Sequence, residues 1–184
     1  MENLDHLKEQ LGLIPWCQHL LRDENLVAEI PTGRRIKRTR EDAAFSYTLN
    51  TKDTIPLYVV LYQPPRQPGI PIREVKGILK LAGGLNGFPD VCHGGIVATI
   101  LDEVMGEVIN VNLRNRTVLR TSYMTAYINT TYLKPVKTPG TVLARAWINK
   151  IDGKKLYESA TIEDGEGTVL AKAEALFIGL NQKL

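Results

Sequence analysis

The stretch CHGGIVATILDEVMG, residues 92–106, sets a histidine, two glycines and two acids into an otherwise apolar run. At the start of a helix the first N–H groups have no intrahelical acceptor, and Gly94 and Gly95 leave room for another group to approach them. Such a terminus attracts an anion or a polarised carbonyl oxygen. The plainer reading is a glycine pair that eases a tight entry, with His93 as a capping or packing residue. At about 100° per residue, Ile96, Val97, Ile100, Leu101, Val104, Met105 and Val108 share one broad face, which predicts a helix over 93–109 with that face in the core. Thr99, Asp102, Glu103 and Gly106 fall on the other side, with Asp102 nearly opposite the apolar centre. Read by itself, Asp102 is a solvent-facing carboxylate.

Residues 3–24 carry leucines at helical spacing, interrupted at Pro15, which is expected to end the first helix of an arm that packs on the domain. The basic run TGRRIKRTRED, residues 32–42, reads as a solvated connector. From Ala43 the period changes to two. AFSYTLN (44–50), LYVVLYQ (57–63) and EVKGILKLAG (74–83) read as strands, with a proline-rich loop before the last. After the helix come TVLRTSYMTAYINTTYL (117–133), long enough to be bent or bulged, and then GTVLARAWINK, KLYESATIE and TVLAKAEALFIGL. The Asp152-Gly153 and Asp164–Gly167 turns join these last three into an antiparallel meander. The expectation is one α+β domain at 43–184, a large antiparallel sheet wrapping one helix, preceded by an arm and connector at 1–42.

Composition bounds the function. With 184 residues, 43% hydrophobic and 23% charged, the chain reads as an ordinary globular protein, and its formal charge of +3 suits a phosphate-bearing ligand without requiring one. The basic residues are not interleaved with aromatics, so no nucleic-acid platform is implied. Cys17 and Cys92 belong to no zinc-ligand pattern, which gives no metal site, and a disulfide between them is left open. There is no run of about 18 apolar residues and no secretory h-region, so an intracellular, cytoplasmic protein without a membrane span is expected. Mitochondria remain open, and so do peroxisomes, because the ending Gln182-Lys183-Leu184 is one residue from a peroxisomal address.

The run HGGIVATILDE, with TAYINTTYLKP (125–135) and the closing AEALFIGL, resembles the hotdog-fold acyl-CoA thioesterases, in particular the PaaI-like branch that includes the mammalian thioesterase-superfamily-member proteins and fungal relatives. The resemblance covers residues 75–180 well, 43–70 by strand pattern and the arm hardly at all. It implies that the Gly94 N–H bonds the thioester carbonyl in an oxyanion-type role and that Asp102, nine residues after His93, is general base on water or nucleophile. It matches the water-orienting hydroxyl to Thr125 and offers Asn86 as a further support for the carbonyl. His93 positions the loop, Gly95 and Glu103 fall on the substrate side, and Glu103 is expected to face solvent or a helix neighbour. On strand parity Thr125 shares a face with Tyr123, Tyr127 and Asn129, opposite Met124, Ala126 and Ile128.

The resemblance further implies a homodimer or dimer of dimers, the carbonyl-binding glycine and the acid coming from opposite subunits, and no cofactor beyond the coenzyme A of the substrate. A carrier-bound acyl thioester and a role in lipid metabolism fit equally. Lys134, Lys137, Lys150, Lys154 and Lys155 lie where they could meet coenzyme A phosphates. Two other classes remain. Hydration is disfavoured because Asp90 precedes His93 by three residues rather than five, and dehydration because an aspartate follows the histidine by nine. A non-catalytic acyl-CoA-binding protein would retain the fold without using the acid.

Overall fold

The computed structural model describes residues 3–180, so Gln182-Lys183-Leu184 lies outside the described residues. The elements are α1 (Leu4–Leu11), α2 (Pro15–Leu21), β1 (Val27–Glu29), β2 (Leu57–Tyr62), β3 (Glu74–Leu81), β4 (Asn86–Phe88), β5 (Val91–Cys92), α3 (Gly94–Arg114), β6 (Tyr123–Tyr132), β7 (Gly140–Asp152), β8 (Lys155–Glu163) and β9 (Val169–Gly179). Seven strands form one antiparallel sheet in the order β1-β2-β3-β7-β8-β9-β6, and β4 and β5 make a separate hairpin. The long helix α3 lies across one face of the sheet, and the apolar stripe from Val97 to Val108 is buried there with only Ile96 partly open. This is the hotdog arrangement.

Alternation explains most of the sheet. In β9, Ala171, Ala173, Ala175 and Phe177 turn inward while Lys172 and Glu174 face water. The small alanines of β7, β8 and β9 belong to the same buried cluster as the apolar face of α3. The continuous run of β2 is buried on both faces. Tyr58 and Val60 meet the α3 side, whereas Leu57, Val59 and Leu61 pack under Leu7, Leu11 and Cys17 of the N-terminal helices. The molecule therefore has three layers, and both cysteines are buried free thiols. No helix among the described residues is long and apolar enough to cross a membrane.

Three expectations are corrected. Residues 44–50 are not a strand: Ala44–Thr48 is a π-helical turn in which Phe45 is buried and Leu49 packs on the core, while Tyr47 is 72% exposed. Phe45 and Leu49 are four apart, so a helical turn brings them together where a strand would also have buried Tyr47. Pro15 does not end the first helix. That helix stops at Leu11, where the Gly12 N–H bonds Lys8, and Pro15 opens α2 at its first turn, where its missing N–H costs nothing. The basic run is solvated only in part, because Gly33 and Arg34 are buried and Arg34 donates to Asn50.

The strand β6 starts at Tyr123, later than the alternation suggested, and carries a bulge. Thr125 pairs with Phe177 and Tyr127 with Leu176, so Ala126 is the extra residue. The bulge reverses parity. Tyr123 and Thr125 face α3 before it, Ile128 and Tyr132 after it, and Tyr127 lies on the outer face. The expected grouping of Thr125 with Tyr127 and Asn129 is thus overturned.

Candidate active site

The N-terminal end of α3 is built from short-range contacts. His93 is the N-cap, and its Nδ1 accepts the Gly95 N–H at 3.0 Å, which places the ring proton on Nε2. The His93 N–H bonds the Leu85 carbonyl at 2.8 Å, which ties the helix start to the loop before it. Gly87 permits this approach, since a Cβ there would lie 2.8 Å from the His93 Cα. Asn86 accepts a hydrogen bond from the Thr138 hydroxyl, so it fastens the same loop to the chain beyond β6. The Tyr132 hydroxyl donates to the Gly94 carbonyl at 2.9 Å, a contact the sequence reading missed. Its signal was there in the same TAYINTTYLKP motif, hidden by the parity reversal. Gly94 and Lys134 line a 290 Å³ cavity with Tyr132 and Leu133.

Eight residues along α3 lies a second arrangement. The Thr125 hydroxyl donates to Asp102 Oδ1 at 2.9 Å. Burial pushes the Asp102 carboxyl above its ordinary value, and the Thr125 hydrogen bond partly opposes that. A 460 Å³ cavity holds both residues together with Glu103, Gly106 and Phe177. Asp102 is therefore not the solvent-facing carboxylate that its wheel position alone suggests.

The same outer face of α3 carries more acid than the sequence disclosed. Glu103 is pushed up to about 8, first by burial and then by Glu107, Asp42 and Asp102, with Arg34 opposing. Of the two expectations for it, solvent or a helix neighbour, solvent is overturned: Gly33 covers it so closely that a Cβ on Gly33 would lie 2.4 Å from its Oε1. Glu107, fully buried, accepts from Thr32 at 3.3 Å and from Asn110 at 3.1 Å. Beneath the helix, Glu158 of β8 is 1% exposed, and its carboxyl oxygens have no hydrogen-bond partner among the described residues. Burial and then Asp102 hold it far above the usual carboxylate range, so it sits in the core as a neutral acid. Strict alternation with Leu156, Ala160 and Ile162 was the signal that could have found it.

The predicted residues thus gather in two places. His93, Gly94, Gly95 and Asn86 stand at the helix start, while Asp102, Glu103 and Thr125 share the second cavity. Of the lysines, Lys150 pairs with Asp152 at 3.3 Å and lies over the Tyr157 ring, away from either place. Among the described residues no group of three histidine, cysteine or acidic side chains is placed to hold a metal ion.

Residues 90–171 match the thioesterase superfamily. Verlamelin biosynthesis protein B of a Lecanicillium species is 30% identical over 163 residues, covering 73% of this chain and 71% of that protein. The chain belongs to the thioesterase superfamily. The superfamily match takes in His93, Gly94, Asp102 and Thr125 but not the segment over Glu103. Mouse acyl-coenzyme A thioesterase THEM4 is 35% identical over 111 residues, 59% of this chain, and the chain spans 45% of that relative's length. A Bacillus halodurans protein solved with CoA is 26% identical, covers 59% of this chain and 68% of its own, and superposes with a TM-score of 0.50.

Proposed function

We propose that this protein hydrolyses an acyl-CoA, or a related acyl thioester, to the free acid and the thiol. The observation that carries the reading is the Thr125–Asp102 hydrogen bond inside a cavity, on a helix whose Gly94 N–H has no acceptor among the described residues. With Oδ1 engaged by Thr125, Asp102 Oδ2 takes one proton from water while the Thr125 oxygen accepts a hydrogen bond from the O–H that remains. The oxygen so activated attacks the thioester carbon, and collapse of the tetrahedral intermediate breaks the C–S bond while the proton held by Asp102 passes to the leaving thiolate. The carbonyl oxygen gathers negative charge and is met by the Gly94 N–H, for which no acceptor is found among the described residues. Burial raises Asp102 toward the range where a carboxylate is a useful base at neutral pH.

One chain cannot supply both groups to one substrate. Eight residues of helix separate Gly94 from Asp102, about 12 Å at ~1.5 Å per residue, whereas a carbonyl oxygen and the attacked carbon are one bond apart. A homodimer resolves this if the Gly94 end of one α3 faces the Asp102 region of the other. The edge strand β6 supports that assembly, with Met124, Tyr127 and Tyr132 exposed along an unpaired edge. Coenzyme A phosphates would then meet Lys134 near the helix start. The test is thiol release from a panel of acyl-CoAs by wild type, Asp102→Asn and Thr125→Ala. Release that collapses in Asp102→Asn while the fold persists is expected, and undiminished release in that variant would sink the assignment.

A further inference from the structure

The peptide groups on either side of the Gly94 N–H are engaged. The His93 N–H donates to the Leu85 carbonyl, and the His93 carbonyl accepts from Ile96 at 2.9 Å and Val97 at 3.1 Å. The Gly95 N–H donates to His93 Nδ1, and the Gly95 carbonyl accepts from the Thr99 hydroxyl at 2.8 Å. These partners all lie within residues 85–99. The Gly94 carbonyl is held from elsewhere, by the hydroxyl of Tyr132, 38 positions along the chain. The Tyr132 ring also lies against Gly94, 3.5 Å from where a Cβ would stand, and both residues line the 290 Å³ cavity. Thr125 and Tyr132 are separated by an odd number of positions, which on a regular strand sends them to opposite faces. The extra residue Ala126 turns both toward α3, so one strand touches Asp102 through Thr125 and Gly94 through Tyr132.

We propose that Tyr132 is a positioning residue for the oxyanion site, whose hydroxyl holds the Gly94 peptide so that the Gly94 N–H is aimed at the thioester carbonyl. The proposal rests on the thioesterase reading for the identity of that ligand. A hydrogen-bond donor stabilises developing charge best when it is aimed before the charge appears. Gly94 is poorly able to aim itself, because glycine has the widest choice of φ and ψ and the next residue is glycine as well. Its N–H belongs to the peptide plane shared with His93, which the bonds to the His93 carbonyl fix, and its carbonyl belongs to the plane shared with Gly95. With that second plane anchored by Tyr132, the φ and ψ of Gly94 are held from both sides. The hydroxyl moves no proton in the reaction and acts through the backbone.

The experiment uses Tyr132→Phe, which removes the hydroxyl and keeps the ring, with Tyr132→Leu as a second variant that removes both. Thiol release from acyl-CoAs gives kcat and its pH profile. Acyl-CoA Kd and the infrared stretch of an isotope-labelled thioester carbonyl are measured with each change placed in the Asp102→Asn background, where bound thioester is expected to persist. In Tyr132→Phe, kcat is expected to fall about tenfold, as for slight misplacement of a catalytic group, with Kd within about twofold of wild type and the acidic limb of the profile unmoved. The carbonyl stretch of the bound thioester is expected to move toward that of free acyl-CoA, and Tyr132→Leu to act in the same direction at least as strongly. Unchanged kcat and stretch in a folded Tyr132→Phe chain overturn the proposal, whatever Tyr132→Leu does. So does a fall in kcat matched by a rise in Kd or by loss of the dimer. If wild type releases no thiol from any acyl-CoA, the hydrolase reading fails instead, and the stretch of the bound thioester still decides whether Tyr132 sets the Gly94 hydrogen bond. A chain that binds no acyl-CoA overturns both.

Discussion

At the start of α3, His93 caps an N–H two residues away, and the surrounding loop is tied through Leu85 and Asn86. On the outer face of the same helix, Asp102 is fixed by a strand residue 23 positions later and Glu107 by a hydroxyl 75 positions earlier. The first region offers the Gly94 N–H, with Lys134 as the charged side chain in its cavity lining. The second is crowded with carboxylates whose proton affinity is set by what covers them. Under the proposed hydrolysis the contrast is a division of labour, in which a local motif would receive charge developing on a substrate and a long-range assembly would tune the group that moves a proton.

Several substitutions would break or sharpen that division, and the largest effect is expected at Asp102. Asp102→Asn keeps the shape and removes the proposed base, so kcat should fall by roughly 10²–10⁴-fold in steady-state thiol release, with the thermal midpoint unchanged or raised. Gly94→Pro deletes one N–H at the first helical position, where proline is tolerated and the preceding His93 is already extended at ψ 133°. Its kcat should drop by about 10²–10³-fold, as for loss of an oxyanion donor, without loss of helix by circular dichroism. Thr125→Ala should cost about tenfold or more in kcat. It should also move the acidic limb of the kcat/KM profile to higher pH, because the hydrogen bond that lowers Asp102 is gone. A limb that moves down contradicts the assigned direction.

Smaller effects appear in stability. Glu103 titrates near 8 in the folded chain against about 4.5 for an ordinary glutamate, so the folded state keeps a proton that the unfolded state releases. Stability must therefore fall as pH rises from about 4.5 to 8 and level off above, a cost absent below that window. Glu103→Gln should flatten part of that slope in urea unfolding at pH 5 and pH 8, leaving the share of the buried Glu107 and Glu158, which act in the same direction. His93→Ala is expected to be mildest, about 1 kcal/mol of lost capping and no change in the pH limb.

The same division decided what could be read from the amino-acid order. The apolar stripe of α3, the β7–β9 meander and the HGG start depend on neighbours within a few residues, and the structure has them where periodicity placed them. The face of Thr125 could not be settled by alternation, because a single bulged residue, Ala126, leaves no mark in hydropathy. Residues 44–50 alternate as a strand would, yet the burial of Phe45 and Leu49 by the core selects a helical turn. Arg34 and Gly33 looked like part of a charged run, and only contact with α3 shows that they cover Glu103 and Glu107. Nothing local to Glu103 announces that cover.

The most direct test of a site shared between chains is complementation. Asp102→Asn and Gly94→Pro chains, each expected to be inactive alone, are co-expressed at equal levels and purified together without separating the dimer species. If Gly94 and Asp102 of different subunits act on one thioester, each mixed dimer regains one intact site of two, and with half the dimers mixed about a quarter of wild-type thiol release returns. Activity that stays at the level of the separate variants, with mixed dimers demonstrably present, would contradict the account.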